Sequence, residues 1–190
     1  AQRTDALRRS EERYALAVNA TGDGHSDWIV ATDEFYASPR LLEMAGLPVD
    51  TNFKGRADFL RRFPFHPEDR DRVISAINAH FSAATVRLEL EMRICRLGET
   101  RWHHLTGLCS RDAKGALVRW NAAVTDITDR KCAEAALSLS ERRYALAIAA
   151  SGEGHWDWDI VTGEFYASPR MLELYGFPPG TTFKDREDFI

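Results

Sequence analysis

Cysteine is scarce in this chain: Cys95, Cys109 and Cys132 are widely spaced and form no C-x-x-C arrangement. That excludes a disulfide framework and a zinc knuckle, and it reads as a set of reduced cytosolic thiols. No segment approaches the roughly 18 to 20 apolar residues in a row that cross a bilayer. The stretch AQRTDALRRSEER likewise lacks the apolar centre of a signal peptide. The expectation is a cytoplasmic segment without membrane contact. There is no excess of positive charge, since 25 Lys and Arg face 29 Asp and Glu and the net charge is −4. A surface of that balance does not neutralise phosphates, so no nucleic acid is expected as a partner. A phosphate-cradling Gly-rich loop, a metal-ligand pair at i, i+4 and a nucleophile with a base at recognisable spacing are all missing, and the fragment is not expected to be an enzyme.

What the chain does have is a folded composition, with 44% hydrophobic and 11% aromatic residues, and a long internal repeat. SEERYALA from Ser10 recurs as SERRYALA from Ser140, and the offset of 130 residues then holds without a gap. EFYASPR from Glu34 recurs from Glu164, Asp27-Trp28 meets Asp157-Trp158, and about three in five positions are identical between 10–60 and 140–190. A period of that size is one domain plus a connector, so the sequence predicts two modules in a row. The divisions are a flanking helix at 1–20, a first module at 21–127, a helical connector at 128–150 and the first part of a second module at 151–190. Trp156, Trp158 and Phe165 are then expected to lack sheet partners, leaving that part disordered or paired with another chain.

Within the first copy, His25 to Ala31 reads as a strand, Thr32-Asp33 as a tight turn and Glu34 to Ala37 as the hairpin partner. Ser38-Pro39 starts a helix, with Ser as N-cap and Pro first, and Gly46 closes it. His66-Pro67-Glu68-Asp69 starts a longer helix to about Ala83, with Val73, Ile74, Ile77 and Phe81 on one face. From Thr85 the period becomes two: Val86, Leu88, Leu90, Met92 and Ile94 alternate with charged residues. Turns at Gly98-Glu99 and 112–115 fold Arg101 to Arg111 and Leu117 to Ile127 into an antiparallel meander. The fold class is α+β with one sheet.

That order, closing on Asp126-Ile127-Thr128 before a charged helix, resembles a PAS domain with its PAC segment. The likeness rests on GHSDW from Gly24, FYASPRLLEMAGLP from Phe35, HPEDR from His66, Gly98-Glu99-Thr100-Arg101-Trp102, and Asp126-Ile127-Thr128 followed by Asp129-Arg130-Lys131. It covers about residues 10 to 130 and again 140 to 190. The resemblance implies a five-stranded antiparallel sheet with short helices on one face, flanking N- and C-terminal helices, and a concave interior that can enclose a small ligand. It also implies homodimers through the flanking helices and an output domain elsewhere in the parent chain, a histidine kinase or a cyclic-di-nucleotide enzyme.

On that basis the candidate ligand lining is Trp28, Phe59, Ile77, His80, Leu90, His103, Trp120 and Ala122. His80 lies near where haem-binding relatives place an axial histidine, although a His in the last helical turn is equally favoured by the helix dipole. The Asn-Cys-Arg-Phe string of flavin photosensors is absent, which argues against a flavin-cysteine adduct. His25 and His155 recur at matching positions and read either as pocket-mouth imidazoles or as residues that open a half-exposed strand. His103 shares its parity with Leu105, Gly107 and Cys109 and should point inward, with Trp102 and His104 outward. Val118, Trp120, Ala122 and Val124 share the other inward row. The buried Trp120 indole wants an acceptor, beside small residues that leave room for a ligand or another side chain.

Residues 128–150 lack a helix breaker and are rich in Ala, Arg, Glu and Leu, predicting one helix from the first module into the second. Leu137 and Tyr144 stand seven apart, as a two-stranded coiled coil requires, and burial against the chain's own domain is the competing reading. Asp126, Thr128 and Arg130 are the expected relay, with Thr128 capping the helix and Asp126 pairing with Arg130 across the joint. The leading functional expectation is a sensor that binds a small ligand and relays its state through this helix. The alternative is a ligand-free module for protein interaction and dimerisation.

Overall fold

The computed structural model describes residues 22–82 and 87–189, which divide into two compact units, one up to Cys132 and one from Ala133 onward. The helix expected at 1–20, and Thr85 and Val86 of the third strand, lie outside the described residues.

The first unit begins with the hairpin β1 (Gly24–Ile29) and β2 (Glu34–Ala37), in register from Ser26 opposite Ala37 to Ile29 opposite Glu34. The turn between them carries Asp33 at φ 53°, a left-handed conformation that Asp tolerates better than most residues. Helix α1 (Pro39–Ala45) follows as the sequence predicts. The Ser38 hydroxyl accepts from Leu41 N–H at 3.2 Å and from His25 N–H at 2.9 Å, and Gly46 ends the helix in the left-handed region at φ 68°. Gly24 has a steric reason: a Cβ there would sit 2.8 Å from the Leu41 backbone, so glycine lets β1 and α1 touch.

Helix α2 (Arg56–Arg62) was not predicted, because its seven residues carry no capping side chain at Gly55. Its anchor comes from far away: Asp33 Oδ1 accepts the Arg56 N–H at 3.1 Å. Helix α3 (Pro67–Ser82) buries Val73, Ile77 and His80. The meander β3 (Arg87–Arg96), β4 (Glu99–Arg111) and β5 (Leu117–Asp126) completes the unit. The β3–β4 turn is the pair Leu97-Gly98, both at positive φ, a two-residue loop of the kind that matches strand twist.

The five strands form one antiparallel sheet in the order β2-β1-β5-β4-β3, with the core between its inner face and α1 to α3. The last strand of the meander, β5, therefore pairs with β1 and sits at the centre, while β3 forms the far edge. The edge of β3 is closed by side chains and loop backbone: Asp69 takes Arg93 N–H, Pro64 takes Cys95 N–H, and His66 N–H reaches Arg93 C=O. Covering an edge in this way removes a template for strand addition.

Helix α4 (Thr128–Ser151) has no buried residue, and Leu137, Tyr144 and Leu146 are exposed along it. In the second unit, β6 (Trp156–Trp158) and β7 (Phe165–Ala167) form an ordered hairpin, followed by α5 (Pro169–Tyr175) and α6 (Arg186–Phe189). The local devices of the first copy recur. Ser168 caps α5 and takes the His155 N–H at 3.0 Å, and Gly176 closes the helix at φ 77°. A Cβ on Gly154 would meet the Met171 backbone at 2.6 Å. Trp156 is 53% exposed in this hairpin.

Candidate functional site

Two places in the first unit could carry function: the interior behind the sheet and the joint where α4 leaves it. The interior is built from aromatics. Phe35, Phe53, Phe59, Phe63 and Phe65 form a continuous ring cluster, with Phe35 stacked on Phe59 at 4.3 Å and Phe63 tilted against Phe59 at 4.8 Å. Between them and the sheet remains a cavity of about 10 Å³, lined by Ser26, Leu41, Phe59, Ile77, Met92 and Trp120 among others. A cavity of that size holds at most about one water, whereas cofactor pockets run to hundreds of cubic ångströms.

Of the expected lining residues, Phe59, Ile77 and Trp120 meet at this cavity, while the other five stand apart from it. Trp28 lies at the rim, where its indole donates to Asp33 Oδ1 at 2.7 Å and the Arg56 guanidinium lies over its ring at 5.4 Å. Leu90 is half-buried against the core, and Ala122 is buried in β5. His80 is 4% exposed, with its ring 6.4 Å from that of Phe81. Burial holds its pKa below the ordinary histidine value, with the Arg111 charge acting in the same direction. His80 is therefore a core histidine, and the interior as packed does not fit haem or a flavin.

Trp120 lies across Gly107 so closely that a Cβ on that residue would sit 2.7 Å from the indole nitrogen. This nitrogen is buried without an acceptor, and Nε2 of His103, wholly shielded from solvent, is buried without a hydrogen-bond partner. The inward parity of His103, Leu105, Gly107 and Cys109 holds, but Val118 is a correction: beside the register shift at the start of β5 it is 42% exposed. Sequence reasoning also missed Phe53, Phe63 and Phe65. The density of Phe between 53 and 65 was the available signal, and it was lost because α2 was not recognised.

The opposite face of the sheet holds an open groove of about 890 Å³, with Tyr36 and Leu108 on it. Asp27 is paired there with Arg119 at 2.5 Å and with the Asn121 amide at 2.8 Å. His25 lines the same groove as a partly buried strand residue.

The joint is more specific. The Trp102 N–H donates to Thr128 Oγ1 at 3.0 Å, and the Ile127 N–H donates to Trp102 C=O at 2.9 Å. Asp126 accepts the Thr128 N–H at 2.9 Å, so a β4 backbone group and a carboxylate together satisfy the start of α4. The expected Asp126–Arg130 pair does not form. Asp126 instead faces Arg101 at 3.7 Å, and Arg130 reaches Glu91 of β3 at 2.7 Å, because the first helical turn carries Arg130 over the outer face of the sheet. Lys131 reaches the same carboxylate at 2.6 Å and lies over the Trp102 ring at 5.3 Å. Lys131, then Arg130, hold Glu91 down at about 2. On the far side of Trp102 stands Arg93, 5.6 Å from the ring, which is forked onto Asp69 of α3. A chain of charge and ring contacts thus runs from α3 through β3 and β4 to α4.

An antiparallel sheet of this strand order, with α1 to α3 laid across its inner face, defines the PAS class of α+β domain. Residues 34–124 match the family model described as PAS fold. The chain is similar to a solved sensory box histidine kinase/response regulator from Burkholderia thailandensis E264, with 28% identity and TM-score 0.57, covering 70% of this chain and 98% of that one. It is also similar in fold to an RNA-binding light-oxygen-voltage receptor, with 17% identity and TM-score 0.51, covering 68% of this chain and 35% of that one. Among curated proteins it matches hybrid signal transduction histidine kinase A of Dictyostelium discoideum, 41% identical over 49 residues, 26% of this chain. That match spans 2% of the relative's length. Among the described residues no helix is long and apolar enough to cross a membrane, and no group of three metal-ligating side chains gathers.

The Arg93 side chain, with the Arg93 backbone N–H, holds the Asp69 carboxyl at about 2. A carboxylate lowered on folding stabilises the fold above its unfolded value near 4, and that contribution is lost as pH falls from there toward about 2. Urea titrations over that range should show stability falling with pH in the wild type. Asp69→Asn should cost about 3 kcal/mol at neutral pH and flatten part of that fall; an unchanged slope would remove Asp69 from the account.

Proposed function

We propose that the first unit is a sensory signalling module whose output element is α4, relaying its state to a histidine kinase or cyclic-di-nucleotide enzyme elsewhere in the parent protein. The observation that supports this reading most is the joint. The two residues that end β5 and the first turn of α4 are fastened to β3 and β4 by Thr128, Asp126, Arg130 and Lys131. A shift between these strands therefore has a direct purchase on the helix. Similarity to the Burkholderia sensory histidine kinase supports a kinase output.

The filled interior favours a second reading of the input. With about 10 Å³ of free space, the module works without a resident ligand, and the open groove on the outer face of the sheet is where a protein partner would dock. A small-molecule ligand would have to displace Phe59 or a neighbouring ring. The recurrence of the Ser cap, the left-handed Gly and the Gly154 contact supports reading 151–190 as the start of a second module of the same kind. The exposed Leu137 and Tyr144, seven residues apart, support pairing of α4 with the same helix of a second copy. The unbridged thiols of Cys95, Cys109 and Cys132 are in keeping with a cytoplasmic location.

Thr128→Val removes the acceptor for Trp102 N–H and should cost about 1 kcal/mol of stability. Amide exchange over the first turn of α4 should rise much more than exchange in β4 and β5; a uniform rise would contradict the relay. Native mass spectrometry and absorbance of the purified chain should find no co-purifying small molecule or chromophore, and a stoichiometric one would overturn the ligand-free reading.

A further inference from the structure

The filled interior leaves open what such a module could sense without a cavity, and one group at the joint answers to the smallest possible signal. His103 lies in β4 with no exposed surface, opposite Met92 of β3 on one side and Asp126 of β5 on the other. Its Nδ1 is 3.3 Å from Arg101 C=O, a contact that requires the proton on that nitrogen, since a carbonyl only accepts. Nε2 is then a bare lone pair, buried and without a donor. The neighbouring residue of the same strand, Trp102, is the one whose N–H and C=O bind Thr128 and Ile127.

We propose that His103 is a proton-responsive element of this joint, whose protonation draws Asp126 away from the Thr128 N–H and so releases the start of α4 from the sheet. The charges acting on the imidazole are Asp126 from β5, Arg101 from its own strand and Arg96 from β3. Asp126 is the only anion of the three, so an imidazolium with a new Nε2–H has one carboxylate to turn to. That carboxylate now accepts the Thr128 N–H at 2.9 Å and faces Arg101 at 3.7 Å. Turning it toward His103 gives up both contacts. The released Arg101 then adds a like charge beside the imidazolium, which opposes a return to the packed arrangement.

The direction follows from burial. Desolvation is the largest influence on His103 and lowers its pKa, outweighing the attraction of Asp126. The packed joint thus holds a neutral ring, and its stability is fully present above the ordinary histidine value near 6.5. It is lost as pH falls from there through the lower value of the packed state. A rearranged joint with a paired imidazolium binds the proton better, and its population grows over the same range.

The proposal rests on α4 as the output element, but it is read at the joint itself, so it can fail while the Thr128 experiment succeeds. Amide exchange of the full chain, corrected for the intrinsic effect of pH, would be compared at about pH 7.5 and about pH 5.5. Protection at residues 128–131 should fall on the order of tenfold in the wild type, while amides of Leu105 and Val124 keep theirs. His103→Gln should remove the pH response. Asp126→Ala, which leaves the imidazole in place but removes the acceptor of the Thr128 N–H, should have an open first turn at both pH values. An unchanged wild type, the same pH response in His103→Gln, or an equal loss at Leu105 and Val124 would each overturn the proposal. If His103→Gln does not fold, the Asp126→Ala comparison decides alone: a closed first turn at neutral pH in that variant contradicts the mechanism.

Discussion

Two backbone groups of one residue, the N–H and C=O of Trp102, tie the output helix to the sheet. The C=O takes Ile127 N–H as the last rung of the β4–β5 ladder, and the N–H is taken by the Thr128 hydroxyl, where the ladder gives way to the helix. Because the hydroxyl belongs to the first residue of α4, the helix cannot start in another register without leaving a β4 donor unsatisfied. The placement of Lys131 over the Trp102 ring and the sharing of Glu91 between Arg130 and Lys131 both follow from that bond.

The interior obeys a different constraint. Trp120 can lie flat across β4 only because Gly107 has no side chain, and its bulk, with the Phe cluster of α2 and its flanks, fills the space behind the sheet. Dense packing of this kind transmits displacement, because interiors deform little before they rearrange. A module filled in this way relays a push from its surface or a change of charge in its core. The Asp69–Arg93 fork and the Trp102 ring beside it extend the same connection outward to α3.

Period and punctuation made much of this legible in the sequence. The period-two rows of β3 to β5 placed Met92, Ile94, His103, Leu105, Trp120 and Val124 inside, and Ser38-Pro39 with Gly46 bounded α1. What was not legible depended on distance. Helix α2 is capped by Asp33, 23 residues earlier, a contact that no local pattern announces. Arg130 was matched with Asp126 because both stand at the joint in sequence, but helical rotation carries it to Glu91 across the sheet. The candidate lining follows from the resemblance together with the inward parity of the strand residues. Neither says how much space the neighbours leave, and Trp28, His80, Leu90, His103 and Ala122 are not among the residues that line the small cavity.

That the sheet and the first turn of α4 act as one mechanical unit is tested most directly by a double-mutant cycle on Glu91→Gln and Lys131→Met, read by amide exchange at residues 128–131. Coupling at this partly exposed pair is expected to be non-zero and expressed at the helix start and not at Leu105. Additive effects of the two substitutions there would mean that α4 is merely adjacent to the sheet, and would contradict the account.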